Sequence, residues 1–407
     1  MPQSAAVPLP PRIAREEFLV RQERARELAA ARGWSGILAW GRGASTQDRY
    51  ADLYYLSNYY TQYPFTPDEP ERWRARGHGA LVLPVSGSTR LIVDMPAFRD
   101  DLAVADDVIF SEDVVGTTAH ALRSAVPNGM IGVMGNEALA WRWHECLRDY
   151  LGPRLIDADD VGPALRVLKS DAELELMRAA GALGTRAVDA IMDAAVPGAS
   201  EAEVAAAGVT TIVNGGGAFY GMGISCGPYA HSYGQSQPAP YDGRYRLREG
   251  DMARVDLYGS VDGYLFDFGR TCVVGGSPSD EQQAMIAAVR DSVLAGVGAI
   301  AAGVSLGDVA RRCDQVLAAS EFLRKRPSLL SGFGTWGHSL GLTWEAPWID
   351  AKSRERAQPR MCLSIEKRLA VEGLGGATYE DNFIVTEDGC ELTTHAKSLC
   401  SPEPDSG

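Results

Sequence analysis

The feature that most constrains this chain is a pair of carboxylates, Asp256 and Asp267, inside two otherwise apolar stretches joined by Asp262-Gly263. The Asp-Gly pair between apolar runs predicts a β-hairpin. With the hairpin centred between Val261 and Asp262, the two acids would face each other directly, with Cβ atoms about 4.5–5.5 Å apart. Two acids that close in an apolar setting repel each other and lose hydration unless a cation lies between them. The alternative is that one or both acids sit on a solvated face.

A second hairpin repeats the arrangement and favours the cation. Glu366 and Glu380 are equidistant from Gly373, so the sequence predicts that they face each other across a turn. Between the hairpins, a glycine-rich strand or loop carries His338. Two Asp, one His and two Glu form an oxygen-rich ligand set typical of two divalent ions about 3.5–4 Å apart, whose charges cancel those of the four carboxylates. The sequence does not choose among manganese, cobalt, iron and zinc.

The residues around these positions also form a pattern. They read Val255-Asp-Leu, Asp267-Phe-Gly-Arg-Thr, Gly337-His-Ser-Leu-Gly-Leu, Ser364-Ile-Glu and Tyr379-Glu-Asp-Asn-Phe-Ile-Val. This order resembles the pita-bread metallohydrolases, which include aminopeptidase P, prolidase and creatinase, and the similarity runs from about Phe18 to Thr394. The resemblance implies an α/β creatinase-like N-terminal domain over 12–167 and an α+β pita-bread catalytic domain over 168–400. It also implies a homodimer in which the N-terminal module shapes the rim of the active site.

The resemblance implies a role for each ligand. Asp267 and Glu380 would bridge the two ions, Asp256 would chelate one of them, and His338 would bind the other. Glu366 would be both a ligand and the general base for the attacking water.

The resemblance also assigns a role to His231. This histidine would bind substrate or donate to the developing oxyanion as a catalytic group. The alternative is a loop histidine satisfied by the backbone.

The chain departs from the family pattern in three places, and all three departures concern substrate recognition. In prolidase-like members a second histidine follows the metal histidine, whereas this chain has Trp344 or Glu345 there. The usual Pro-Gly after the fourth ligand is replaced by Lys367 and Arg368, and Tyr258 stands where a glycine is usual. We therefore expect Trp344, Glu345 and Lys367 to contact substrate together with His231.

Taken together, these features predict a dinuclear-metal hydrolase that cleaves an amide C–N bond, most simply an Xaa-Pro aminopeptidase or dipeptidase. One alternative is a non-peptidase of the same fold that acts on a small-molecule amide, such as a creatinase-like C–N hydrolase. A lyase is a weaker alternative, because Tyr258 stands where the lyase has an additional acid. A third is a binding module that kept the fold without catalysis, although such members usually lose ligands.

The composition limits the partners. A net charge of −14 gives no general attraction to phosphate backbones, so we expect no nucleic-acid partner. The sequence contains no uninterrupted run of about 18 apolar residues, so we expect no membrane span. Residues 1–11 show no signal-peptide pattern. Seven cysteines without a Cys-x-x-Cys pair favour reduced thiols and a cytoplasmic location.

The N-terminal half carries two weaker patterns. The aromatic run over 53–60 predicts a strand edge or a domain-contact loop. His78 follows three arginines between positions 72 and 76, which favours a solvated basic loop.

Overall fold

The computed structural model describes residues 9–43, 50–63, 67–69, 72–232, 238–330 and 334–397. The first eight residues of the tail, and residues 398–400 at the end of the predicted catalytic domain, lie outside the described residues. The chain divides into two compact units, one over Ile13–Arg166 and one formed by Val167–Gly407 with Met1–Arg12. None of the helices in the described part is both long and apolar enough to cross a membrane.

The first unit alternates helices and strands. Its elements are α1 (Arg15–Ala31), β1 (Gly36–Arg42), α2 (Ala51–Ser57), β2 (His78–Pro84), β3 (Arg90–Val93), β4 (Asp107–Phe110), α3 (Val114–Ala125), β5 (Ile131–Met134), α4 (Trp141–Leu151), β6 (Leu155–Asp157) and α5 (Val161–Arg166). The strands form one mixed sheet in the order β4-β3-β2-β1-β5-β6. The central strands β1, β2 and β5 are almost wholly buried, as expected for apolar runs covered on both faces.

Two predictions for this unit are wrong. The aromatic run at 53–60 begins in the helix α2, which buries Leu53, Tyr55 and Leu56 on one side. His78 does not lie in a solvated loop: it is 1% exposed at the start of β2, and the Trp40 indole donates to its Nδ1. In both places tertiary burial overrides the local composition.

The second unit begins with two capped helices and carries the two hairpins. Ser170 and Ser200 each form a capping box, with Glu173 and Glu203 respectively. The elements are α6 (Asp171–Ala194), α7 (Glu201–Asn214), β7 (Ala218–Cys226), β8 (Met252–Val261), β9 (Tyr264–Val273), α8 (Asp280–Val297), α9 (Leu306–Ala319), α10 (Glu321–Arg324), β10 (Gly337–Leu340), β11 (Trp344–Ile349), β12 (Cys362–Val371), β13 (Gly375–Val385) and β14 (Cys390–Leu392).

The two hairpins lie in different sheets. One sheet has the order β7-β8-β9 and the other has the order β11-β10-β12-β13-β14, and all of these pairs are antiparallel. Helices α8 and α9 and the inner faces of β12 and β13 share one hydrophobic core. The unit is therefore α+β, as predicted.

The register of the first hairpin differs from the prediction by one position. Asp262 and Gly263 form a two-residue turn with φ of 46° and 85°, the left-handed pair that a type I′ turn requires. The hairpin is therefore centred between these two residues, and Asp267 pairs with Tyr258 while Asp256 pairs with Gly269. The two acids share a face as diagonal neighbours rather than facing each other directly, which corrects the predicted geometry.

The second hairpin has the predicted register, and polar side chains join it to the first. Glu366 pairs directly with Glu380 across β12 and β13. The side chain of Asn382 on β13 accepts from the backbone N–H of Asp267 at 2.9 Å and donates to the backbone carbonyl of the same residue. The Thr271 hydroxyl similarly accepts from the Thr378 N–H at 2.7 Å and donates to the Thr378 carbonyl at 3.1 Å. These contacts bring the two carboxylate pairs together.

Candidate metal centre

The two hairpins and β10 bring all five predicted ligands into one buried cluster. Asp267, His338 and Glu380 form one group, and Asp256, Glu366 and Glu380 form a second. Within each group, one potential ligand atom from each residue lies within 4.8 Å of the others. Glu380, only 1% exposed, is common to both groups. This is the arrangement that two neighbouring cations sharing a carboxylate require.

The carboxylates are electrostatically unfavourable without cations. Burial, followed by the charge of Asp256, raises the pKa of Glu366 to about 7. Burial and neighbouring carboxylates raise the pKa values of Asp267 and Glu380 well above the ordinary range. Acids so perturbed either hold protons or require cations, so the donor set fits a metal centre of high positive charge.

The imidazole of His338 presents a lone pair to the same place. Its Nδ1 lies 3.2 Å from the carbonyl oxygen of Ser339, which can only accept, so this bond requires the proton on Nδ1. Nε2 is then unprotonated and lies 3.6 Å from Oδ2 of Asp267. Burial lowers the pKa of His338 to about 4, which keeps the ring neutral. Two lone-pair atoms that face each other are suited to a cation between them.

Three further residues, Ser364, Arg270 and Asn382, support Glu380 and its strand. The Ser364 hydroxyl donates to Oε1 of Glu380 at 2.5 Å, and Arg270 donates to the Glu380 carbonyl at 2.6 Å. Arg270 also forms a buried ion pair with Asp381 at 2.6 Å. Ser364 lies two residues before Glu366, and Asn382 lies two after Glu380. That spacing places each on the face of the adjacent ligand, a signal the sequence offers.

Trp344 lies beside the cluster. Its indole N–H donates to Oδ2 of Asp267, and its ring packs edge-on against Tyr220 and Tyr258. Burial alternates along β11, so Glu345, which is 5% exposed, lies on the opposite face of the strand from Trp344. The side chain of Trp344, one of the two residues predicted for this place, contacts a proposed ligand.

Lys367 faces away from the cluster. It follows Glu366 directly in β12, and consecutive residues of a strand point to opposite faces. Its ammonium group lies 3.9 Å from the centre of the Trp336 ring, and Trp336 is part of the hydrophobic core. Burial lowers the pKa of Lys367 to about 8. The substrate contact expected from Lys367 is not supported by this orientation.

His231 makes the kind of backbone contact that was given above as the alternative to a catalytic role. Nδ1 lies 3.0 Å from the carbonyl oxygen of Pro228, a bond that again requires the proton on Nδ1. In the neutral ring Nε2 can therefore only accept, and donation from it needs the imidazolium form. Among the described residues, the two ligand groups do not include His231.

Comparison with known proteins identifies the family. The profile of metallopeptidase family M24 matches residues 175–387, which contain all five clustered residues. The chain belongs to metallopeptidase family M24. As a member of this family, the protein is a metal-dependent hydrolase, and the predicted peptidase activity is confirmed. The small-molecule hydrolase, lyase and binding-module alternatives are not supported.

Individual relatives of the M24 chain agree with this assignment. It is 31% identical to the probable dipeptidase PepE of Mycobacterium tuberculosis, over 76% of this chain and 81% of the relative. It is 28% identical to the Xaa-Pro dipeptidase of Pyrococcus furiosus, over 58% and 65% of the two chains.

Solved structures confirm the fold. Dipeptidase PepE from Mycobacterium ulcerans superposes with a TM-score of 0.73 at 27% identity, covering 95% of this chain and 98% of that one. A prolidase from Thermococcus sibiricus, at 20% identity, superposes with a TM-score of 0.76, covering 94% and 98%. The two-domain pita-bread fold predicted from the sequence is therefore confirmed for the M24 chain.

Proposed function

We propose that this chain is a dinuclear-metal dipeptidase whose two divalent ions are held by the clustered ligands. The observation that carries the proposal is the pair of three-residue groups that share Glu380. Asp267 and Glu380 would bridge the ions, Asp256 and Glu366 would complete one site, and His338 would complete the other. The carboxylate-rich set suits manganese, cobalt, iron or zinc, and we name manganese as the first ion to test.

The proposed substrate is a dipeptide or a short peptide. This rests on relatives named dipeptidase and Xaa-Pro dipeptidase, together with an amide-cleaving family. Trp344 or Glu345 stands in the place of a histidine found in the prolidase-like pattern, and Trp344 donates to Asp267. We therefore include non-prolyl dipeptides beside Xaa-Pro dipeptides as substrates.

Glu366 is the proposed general base. The ions, when bound, supply Lewis-acid chemistry that polarises the scissile carbonyl and lowers the pKa of water. A carboxylate oxygen of Glu366 accepts the proton of the attacking water and returns it to the leaving amine. Burial raises the pKa of Glu366 to about 7, and bound cations would lower it again and favour the carboxylate form at neutral pH.

His231 is the proposed second catalytic group. Its Nδ1–H is engaged by the Pro228 carbonyl, so Nε2 is the atom left to meet substrate. As imidazolium, this atom donates to the oxygen on which charge develops; as neutral imidazole, it accepts from a substrate N–H. His231 and Trp344 together form the proposed substrate contacts.

The remaining expectations belong to the same proposal. We assign the creatinase-like module to 12–167 and catalysis to 168–400, in a homodimer located in the cytoplasm. Size-exclusion chromatography with light scattering tests the dimer.

Reconstitution of the metal-free protein tests the proposed activity. The chain is stripped by exhaustive chelation, titrated with Mn(II) or Co(II), and assayed on matched dipeptides with proline or alanine in the second position. We expect two equivalents to bind and dipeptide hydrolysis to return with them. A matched variant, Glu380→Gln, removes the carboxylate shared by both groups and should abolish binding of at least one ion.

Two results would overturn the proposal. Full activity of the stripped protein would exclude the metal centre from catalysis. Binding of two ions without turnover of any dipeptide would exclude the proposed substrate class.

A further inference from the structure

Three aromatic rings form a wall along one side of the candidate metal centre. The ring of Trp344 packs against Tyr258 with centroids 5.2 Å apart at 84°, and against Tyr220 at 5.7 Å and 65°. Tyr258 lies directly across the hairpin from Asp267. The indole N–H of Trp344 donates to Oδ2 of Asp267. The wall therefore includes a hydrogen-bond donor directed at one of the proposed ligands.

The strand β7 is shaped to accommodate this wall. The register of β7 against β8 shifts between Phe219 and Gly221, so that Tyr220 is an extra residue in a β-bulge. A Cβ on Gly221 would lie 2.4 Å from the ring of Tyr258, so only glycine leaves room for that ring. Tyr220 is thus placed by the bulge, Tyr258 lies in the space left by Gly221, and both rings pack against the indole.

We propose that Trp344 is a positioning residue that orients the Asp267 carboxylate for bridging two metal ions. This inference rests on the proposed dinuclear function. A carboxylate oxygen has two lone pairs, and the Trp344 N–H occupies one of those on Oδ2. The second lone pair of Oδ2 can meet a cation, and Nε2 of His338 lies 3.6 Å from the same oxygen.

Asn382 and Trp344 restrain different parts of Asp267. Asn382 fixes the backbone of Asp267 through its N–H and its carbonyl, but these contacts do not themselves restrain rotation of the carboxylate about its side-chain bonds. Trp344 removes that freedom with a hydrogen bond to a charged acceptor. Residues that orient a metal ligand in this way typically change metal affinity by about 10–100-fold when they are replaced.

The experiment measures metal binding by the stripped full-length protein using calorimetry with Mn(II). Trp344→Phe keeps an aromatic ring against Tyr220 and Tyr258 but removes the donor. We expect one of the two ions to bind about 10–100-fold more weakly, with the other less affected. The same variant should shift the visible absorption bands of bound Co(II), because the coordination geometry changes.

Trp336→Phe is a matched control. The indole N–H of Trp336 also donates to a carboxylate, Oδ1 of Asp314, at 2.7 Å, and its ring lies in the hydrophobic core. The chemical change is the same, but the acceptor is not a proposed ligand. We expect this control to lower thermal stability and to bind both ions with affinities within about threefold of the parent.

A second measurement uses the unaltered protein. With ¹⁵N-labelled tryptophan, the indole resonance that disappears in Trp344→Phe identifies Trp344, and the resonance missing in Trp336→Phe identifies Trp336. Titration with diamagnetic Zn(II) should move the Trp344 resonance, because its acceptor becomes a metal ligand, and leave the Trp336 resonance in place.

The outcomes separate this inference from the proposed function. Failure of the unaltered protein to bind two ions refutes the dinuclear centre itself. Normal binding by the unaltered protein and by Trp344→Phe refutes the positioning role alone. Equal loss of affinity in Trp344→Phe and Trp336→Phe also refutes it, since the effect would then follow general destabilisation.

Discussion

Replacing Asn382 by alanine should destabilise the metal-free protein and also weaken its metal centre. The Asn382 side chain pairs with the backbone N–H and the backbone carbonyl of Asp267, and it donates to the Ser364 hydroxyl at 3.0 Å. Each buried backbone group left without a partner costs about 1–3 kcal/mol. With two such groups, and water entering the space left by the side chain, the expected loss is about 2–4 kcal/mol.

Thermal unfolding of the chelated protein gives the first readout. In a unit of this size, 1 kcal/mol shifts Tm by about 2–4 °C, so Tm should fall by about 4–16 °C. Thr271→Val is the matched control, because its hydroxyl joins the same two strands by contacting Thr378 instead of Asp267. Both variants should lower Tm, but only Asn382→Ala should weaken Mn(II) binding, by about tenfold or more.

Two results would refute this reasoning. An unchanged Tm in Asn382→Ala would show that the backbone of Asp267 finds other partners without this side chain. Equal loss of metal affinity in Thr271→Val would show that the approach of the two sheets, rather than the placement of one carboxylate, controls binding.

Three further predictions follow from the same contacts. Glu366→Gln cannot accept a proton and should lower kcat for dipeptides by about 10²–10⁴-fold with a smaller change in KM, as measured by steady-state kinetics. Burial, with a contribution from Arg42, lowers the pKa of His78 to about 4. As pH falls from 6.5 towards 4, His78 therefore binds a proton in the unfolded chain but stays neutral in the folded chain. The parent should therefore lose about 2 kcal/mol between pH 7 and pH 5, and His78→Gln should lack this part of the loss in denaturant titrations. Lys367→Met should hydrolyse dipeptides within about twofold of the parent, because the ammonium lies over Trp336 and not in the metal centre, and a tenfold loss would contradict that placement.

The ligand set was predictable from the sequence because strand periodicity and turn chemistry constrain it. Equal spacing around Gly373 gave the correct pairing of Glu366 with Glu380. The same reasoning misplaced the first hairpin by one position, because an Asp-Gly pair takes both central positions of a type I′ turn. Asp256 and Asp267 remain on one face, so the cluster survives the error.

The supporting contacts were not predictable in the same way. The hydrogen bond from Trp344 to Asp267 joins residues that are distant in the chain, and nothing local in the sequence specifies that pairing. The joining of the two sheets by Asn382 and Thr271 is also a tertiary arrangement. The aromatic run near Tyr55 was assigned by composition, whereas packing in the first unit decided in favour of a helix.

The tight turn at Asp262 and Gly263 has a consequence for how this protein can diverge. Successive residues of a strand point to opposite faces of the sheet. A single-residue insertion or deletion between Asp256 and Asp267 would therefore move one of the two carboxylates to the opposite face of the hairpin. We therefore expect that the length of this segment does not change by single residues. Orthologous chains should vary freely in their surface connections while keeping the number of residues between these two acids constant.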